Sequence, residues 1–389
     1  MAKVLILGGG FAGLESAIYL RKDNFDVTLV SDRDYFYIYP TSIWIPTGGT
    51  TREKTSIPLE DLKKVHGFEV IVDGVISFDA EKREVILESK RVLSGYDYIV
   101  VALGQDKLPF KGIENTLSIC GKPEEATELY NRLDELITKG EGKIAMGFGG
   151  NPKDTSAVRG GPAFEVLFNV HNYLKKRNVR DKFELTFFAP MAKPGQKMGE
   201  KAMAMMDKMF SMKNIHKKIG TKITNFTSST VEFEDGTNIE SDLTMFISAG
   251  TGHHILRESG LPLSEAGFVV TNEYNEVDCF EDIFVIGDSA SLLGASWRAK
   301  QGHVAEVMAR NTAYNISQKA HGEDGKKSYA EHINILCVMD TGDGAGFVYR
   351  SDTTAKMIPL PIIGHWLKKG WGWYCKNSKL GRIPRIPWM

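Results

Sequence analysis

Three glycines, Gly8, Gly10 and Gly13, are the first residues whose spacing implies chemistry, because they close a GxGxxG turn directly after the apolar run Lys3–Leu7. In that pattern the first glycine permits a tight turn, the second lets backbone approach a pyrophosphate, and the third lets a helix pack close to a strand. The helix N-terminus then offers free N–H groups to the anion. Far along the chain, Gly287-Asp288 ends a second apolar run that begins at Asp282. Its carboxylate can accept a hydrogen bond from a sugar-alcohol hydroxyl while the following helix turns toward the same pyrophosphate. A helix N-cap explains Asp288 by itself, but the pairing with the N-terminal turn marks a cradle for FAD. The acidic residue that ordinarily binds ribose is displaced: Ser31 stands in its place and Asp32 follows, and either can take the hydroxyls.

The elements that position these groups read plainly. Leu14 to Arg21 has helical apolar spacing, and Phe25–Val30 is a second strand. Glu69–Val72, Glu84–Leu87 and Tyr96–Ala102 are further strands, the last turning at Gly104. A second unit opens with strand Lys143–Met146, but Asn151-Pro152 interrupts the place where a phosphate-binding helix should start, and the next helix begins near Pro162. This half is expected to keep the fold without a tight NAD site. Strands follow at Glu184–Phe188, Thr230–Phe233 and Leu243–Ile247, before Asp282–Asp288 returns to the first unit. The fold class is α/β, with two Rossmann-like dinucleotide-binding domains and a C-terminal membrane-associating region. The expected boundaries are 1–110 and 256–322 for the split FAD domain, 111–255 for the second domain, and 323–389 for the C-terminal domain.

A length of 389 residues and 42% hydrophobic content allow two or three sizeable cores. A formal net charge of −1 argues against nucleic acid as a partner. The turn begins almost at Met1, which leaves no room for an export signal and points to a cytoplasmic location. Cys120, Cys279, Cys337 and Cys375 form no CxxC and no paired ligand spacing, so neither a zinc site nor a disulfide scaffold is expected. His171 and the His253-His254 pair read as solvated or core histidines, and Cys279 and Cys375 as small buried hydrophobes. The methionines from Met198 to Met212 read as a helix core, with a soft lid over an apolar channel as the alternative.

After Asp352 there is no acidic residue, while Lys356, Lys368, Lys369, Lys376, Lys379, Arg382 and Arg385 accumulate among Trp366, Trp371, Trp373 and Trp388. Interleaved basic and aromatic side chains suit a membrane surface, so 353–389 is expected to be a separable peripheral anchor. Packing on its own domain or in a homo-oligomer interface is the alternative.

Asp34-Tyr35-Phe36 with Pro40 and Trp44, Ser118-Ile119-Cys120 before Glu124-Glu125-Ala126, Gly161-Pro162-Ala163-Phe164-Glu165, Gly287-Asp288-Ser289-Ala290, Lys300 and Cys337 together resemble the sulfide:quinone oxidoreductase and flavocytochrome c sulfide dehydrogenase group of the flavoprotein disulfide reductase superfamily. The resemblance covers nearly the whole chain. It implies FAD as cofactor, sulfide or a related small sulfur compound as electron donor, and quinone as acceptor. It also implies Cys120 and Cys337 as the first and third of three thiols, and Lys300 as a cation beside the isoalloxazine that favours the reduced flavin. The second thiol is missing: Arg159 stands in its place. Cys337 is then expected to act toward the flavin as a thiolate, with Arg159 as the cationic neighbour that lowers its pKa. Three alternatives stay open: a type II NADH:quinone oxidoreductase-like enzyme, a cytochrome-linked sulfide dehydrogenase flavoprotein, and a flavin-binding redox sensor without turnover.

Overall fold

The computed structural model describes residues 1–386. The chain opens with β1 (Lys3–Leu7), α1 (Phe11–Lys22), β2 (Asp26–Ser31), β3 (Glu69–Val72) and β4 (Tyr98–Val101). It leaves this unit through β5 (Gln105–Lys107) and builds a second one from β6 (Gly142–Phe148), α2 (Gly161–Lys176), β7 (Phe183–Ala189), α3 (Glu200–Met212), β8 (His216–Ile219) and β9 (Leu243–Ile247). It returns through β10 (Gly250–Gly252), and β11 (Glu276–Val277), β12 (Phe280–Val285) and α4 (Gly302–Ala320) complete the first unit. β13 (Ile335–Asp340), β14 (Gly344–Arg350), β15 (Ala355–Pro361) and α5 (Ile363–Lys379) follow.

The first sheet runs β11-β12-β4-β1-β2-β3. β1 lies parallel between β4 and β2, with Leu7 opposite both Val101 and Val30, and β12 joins on the far side of β4 with Ile283 opposite Ile99. The strands that carry the glycine turn and Gly287-Asp288 therefore belong to one sheet. Their apolar runs are continuous because both faces are buried. The second sheet runs β8-β7-β6-β9, all parallel. Both are Rossmann-like units, and the second interrupts the first. The two crossings between them form a single antiparallel ribbon, β5 against β10, with Asp106 opposite Thr251. In α3, Met206 is buried and Met203 and Met209 pack partly against the core, while Met212 faces solvent. That is the helix-core arrangement.

The C-terminal stretch departs from expectation. Lys379 Nζ pairs with Glu15 at 3.1 Å and Glu306 at 2.6 Å, Arg385 also pairs with Glu15, and Lys368 pairs with Glu165. Lys376 donates to the Ser56 and Lys54 carbonyls at 2.9 and 3.0 Å. Glu15 sits inside α1, where burial works to raise its carboxyl, yet Lys379 and Arg385 bring it below the ordinary range. These cations answer buried carboxylates or, for Lys376, backbone carbonyls, and are not free to meet lipid, because residue type alone does not set which side of a helix a lysine occupies. Cys375 is buried in the core of the first unit, and Trp371 and Leu380 pack against that core, so α5 is integral to it. Trp388 lies outside the described residues.

What α5 presents to solvent is apolar. Ile363, Trp366, Leu367 and Trp373 recur at helical spacing and are exposed, Trp366 by 65% and Trp373 by 62%, with Ile358 and Ile362 extending the patch. Among the described residues no helix is long and apolar enough to cross a membrane.

Candidate active site

The glycine turn has the geometry its spacing implies. Gly8 has φ +112°, and a Cβ there would fall 2.2 Å from the Ala102 carbonyl oxygen. A Cβ on Gly13 would lie 1.8 Å from the Gly8 carbonyl oxygen, so only glycine lets α1 start this close to β1. A Cβ on Gly10 would meet nothing within 4 Å, which leaves its backbone open to an incoming group. α1 has no side-chain cap and no acidic residue in its first turn, so its N–H groups remain available to an anion.

Gly287, at φ +63°, brings the end of β12 against the same helix: a Cβ there would lie 2.9 Å from Ala12 Cβ. Ser289 Oγ accepts from Gly104 N at 2.8 Å and lies 3.0 Å from the Gly104 carbonyl oxygen, to which it donates. Gly104, Gly287 and Asp288 are thus drawn toward the first turn. At the end of β2 the two ribose candidates separate. Ser31 Oγ is buried, donating to the Arg33 carbonyl at 2.8 Å and accepting from Arg33 N. Asp32 is largely exposed and pairs with Arg33 at 3.4 Å, which leaves its carboxylate open to solvent.

In the second unit, residues 149–160 make an excursion instead of a glycine turn into α2. Asn151 Nδ2 donates to the Gly250 carbonyl at 2.8 Å and its Oδ1 accepts from Lys153 N at 3.0 Å. Asp154 accepts from Ser156 N at 2.8 Å, and Lys300 N donates to the Ser156 carbonyl at 3.0 Å. The Phe148 ring fills the space beneath the helix start, 2.5 Å from where a Gly160 Cβ would be.

Arg159 does not accompany Cys337. Its guanidinium pairs with Asp288 and bears on Cys120. Burial raises the Cys120 thiol, and Arg159 and Lys107 only partly oppose this. Cys337 packs among Met198, Met357, Trp297 and Ile335. Burial pushes its thiol up to about 12, with the Glu165 carboxylate adding to the rise and Lys368 opposing it. The expected thiolate at Cys337 is therefore corrected: residue 159 precedes α2 and faces the first unit, while β13 carries Cys337 into an apolar cluster. Cys279 is exposed, contrary to expectation, and Cys375 is buried. Lys300 is buried: it donates to the Asp288 carbonyl at 3.1 Å and to the Ala290 carbonyl, and sits 3.9 Å from the Phe268 ring centroid. Burial lowers its ammonium to about 8. In this arrangement Lys300 shapes the Gly287–Ala290 turn.

Sequence reasoning missed a buried acid–base chain behind α5. Glu165, on α2, accepts from Asp340 N at 2.7 Å and pairs with Lys368. The Asp340 carboxylate is held by His365 Nδ1 at 2.6 Å, Asn169 Nδ2 at 3.1 Å and Gly342 N at 2.7 Å. Burial raises Glu165 above the ordinary carboxyl range despite Lys368. Burial also works to raise Asp340, but the His365 contact brings it below that range. No local motif announces this chain, because its members lie on α2, β13 and α5.

The family profile of pyridine nucleotide-disulphide oxidoreductases matches residues 2–313. The chain belongs to this family. It is a flavoprotein oxidoreductase, and its cofactor is FAD. A sulfide-quinone reductase of Aquifex aeolicus (strain VF5) is 28% identical over 375 residues, covering 90% of this chain and 84% of that protein. A type II NADH:quinone oxidoreductase of Staphylococcus epidermidis (strain ATCC 12228 / FDA PCI 1200) is 24% identical over 380 residues, covering 91% of each. The crystal structure of the sulfide:quinone oxidoreductase from Aquifex aeolicus shares the fold with a TM-score of 0.87 at 24% identity, covering 100% of this chain and 93% of that one.

Proposed function

We propose that this family member takes electrons from a reduced sulfur compound, sulfide in the first instance, and delivers them to a quinone while docked peripherally on the cytoplasmic face of a membrane. FAD supplies a centre that accepts two electrons from one partner and passes them to the other. The observation that carries the reading is the acid–base chain Glu165, Lys368, Asp340 and His365 lying directly behind the apolar face of α5. A quinone becomes a quinol by taking two electrons and two protons, and an apolar acceptor entering from lipid cannot draw those protons from water on that side. Glu165, held above the ordinary carboxyl range, is suited to hold a proton and give it up, with Lys368 and the Asp340–His365 pair as its connection outward. The exposed Ile363, Trp366, Leu367 and Trp373 supply the insertion surface.

On the donor side, the excursion of residues 149–160 weighs against a nicotinamide dinucleotide, since it replaces the turn that would cradle a second pyrophosphate. The Arg159 cation beside Cys120 offers attraction to hydrosulfide, which gives up two electrons and a proton and leaves zero-valent sulfur to be carried off by a second sulfide or a small thiol. Of the two thiols, Cys120 lies beside the Arg159–Asp288 pair and Cys337 beside Glu165, so Cys120 is the one facing the donor. Quinone reduction in lipid vesicles, with sulfide and NADH offered separately, tests the reading. Sulfide-dependent quinol formation supports it, and quinol formation with NADH alone puts the type II NADH:quinone oxidoreductase-like reading in its place.

A further inference from the structure

We propose that Asp106, His253 and His254 form a binding site for a divalent transition metal of the zinc class, placed on the ribbon that joins the two Rossmann-like units. Sequence alone gives the two adjacent histidines no partner, because Asp106 lies on the other strand of that ribbon. In the structure one ligand atom from each of the three lies within 4.8 Å of the others.

The local geometry has a gap that hydrogen bonding leaves unfilled. Asp106 Oδ2 accepts from His254 N at 2.7 Å and from His254 Nδ1 at 2.9 Å. Its second oxygen, Oδ1, faces His253 Nε2 at 4.0 Å, beyond hydrogen-bond reach. Two ligands each about 2.0–2.2 Å from a tetrahedral zinc lie roughly 3.3–3.6 Å apart, so a small closure around an ion brings both into contact with it. The His253 ring is mostly buried, and its Nδ1 has no hydrogen-bond partner among the described residues. The two rings stack at 4.7 Å and 21°. Two imidazoles and one carboxylate suit zinc, nickel or cobalt and not calcium or magnesium, and leave one position for water.

The position gives the site a consequence. Residue 106 is on the outgoing strand of the crossing and residues 253 and 254 directly follow the returning strand, so a bound ion ties the two connections together.

The test uses the FAD-loaded full chain, freed of metal with a chelator and titrated with Zn²⁺ against a chromophoric zinc competitor. The expected result is one zinc per chain, with affinity at least tenfold weaker in each of Asp106→Asn, His253→Gln and His254→Gln and unchanged in His332→Gln. Zinc should also raise the melting temperature of the unaltered protein and not of His253→Gln, since only binding to the folded state stabilises it. Zinc uptake equal in the unaltered chain and all three site variants, or no uptake at 100 µM free zinc, overturns the proposal. His254 is exposed, so its variant reports on the site even if the buried His253 change impairs folding.

Discussion

Replacing Lys368 by Met should convert Glu165 from a paired carboxylate into an isolated buried one, with a recognisable pH signature. Both residues are nearly inaccessible, and Lys368 is the main group that opposes the rise burial imposes on Glu165. Removing one member of a buried pair costs about 3–5 kcal/mol if the remaining charge stays in place. A carboxyl can avoid most of that by binding a proton, so the cost depends on pH. The folded-state pKa of Glu165 is already raised and rises further without Lys368, so between the ordinary carboxyl range and that raised value the folded state binds more protons than the unfolded state. Stability is then retained at low pH and lost as pH rises, with a slope of at most about 1.4 kcal/mol per pH unit. Urea unfolding at pH 5, 7 and 8 reads this directly. Lys368→Met should lie close to the unaltered protein at pH 5 and fall progressively below it at pH 7 and 8, and Glu165→Gln combined with Lys368→Met should remove most of the pH dependence. In stopped-flow reoxidation by a short-chain quinone, Glu165→Gln should be slowed by about 10²–10⁴-fold while reduction by the donor is unchanged. A pH-independent loss in Lys368→Met, or quinone reoxidation at the unaltered rate in Glu165→Gln, would refute the reasoning.

Asp288→Ala should purify with little FAD, because it removes a carboxylate at the cradle and leaves the Arg159 cation unpaired; flavin absorbance per chain checks this. Trp366→Ser with Trp373→Ser should abolish vesicle flotation, and flotation of the unaltered protein should respond only weakly to salt, since of the seven basic residues only Lys356, Lys369 and Arg382 are not bound to a carboxylate or backbone carbonyl among the described residues. Deleting residues 353–389 should destabilise the first unit by several kcal/mol instead of releasing a soluble flavin domain, because Glu15 loses both Lys379 and Arg385; thermal unfolding with flavin release as the signal decides it.

The parts of this molecule that were legible in the sequence are those set by neighbours along the chain. The Gly8-Gly10-Gly13 turn, the strands on either side of it and the start of α2 near Pro162 follow from local sterics and apolar period, and they lie where their residues place them. The first and last parts of the split unit were legible because Gly287-Asp288 carries its own signature. Partnerships across the fold were not. Arg159 reads as a neighbour of Cys337 only through the position of a missing thiol, whereas its backbone, just before α2, aims it at Asp288. Lys368, Lys379 and Arg385 read as surface charge because a basic stretch without acids looks solvated, and nothing near them in sequence shows that Glu165 and Glu15 are buried within reach. His253 and His254 lacked a visible partner for the same reason, since Asp106 is brought to them only by the pairing of β5 with β10.

The central claim is electron transfer from a reduced sulfur compound through FAD to a quinone, and the visible spectrum of the FAD-loaded protein under anaerobic conditions tests it most directly. Sulfide added at micromolar concentration should bleach the flavin band, a short-chain quinone added next should restore it, and the same concentration of NADH should leave the band unchanged over the same time. Rapid bleaching by NADH with no response to sulfide would contradict the account.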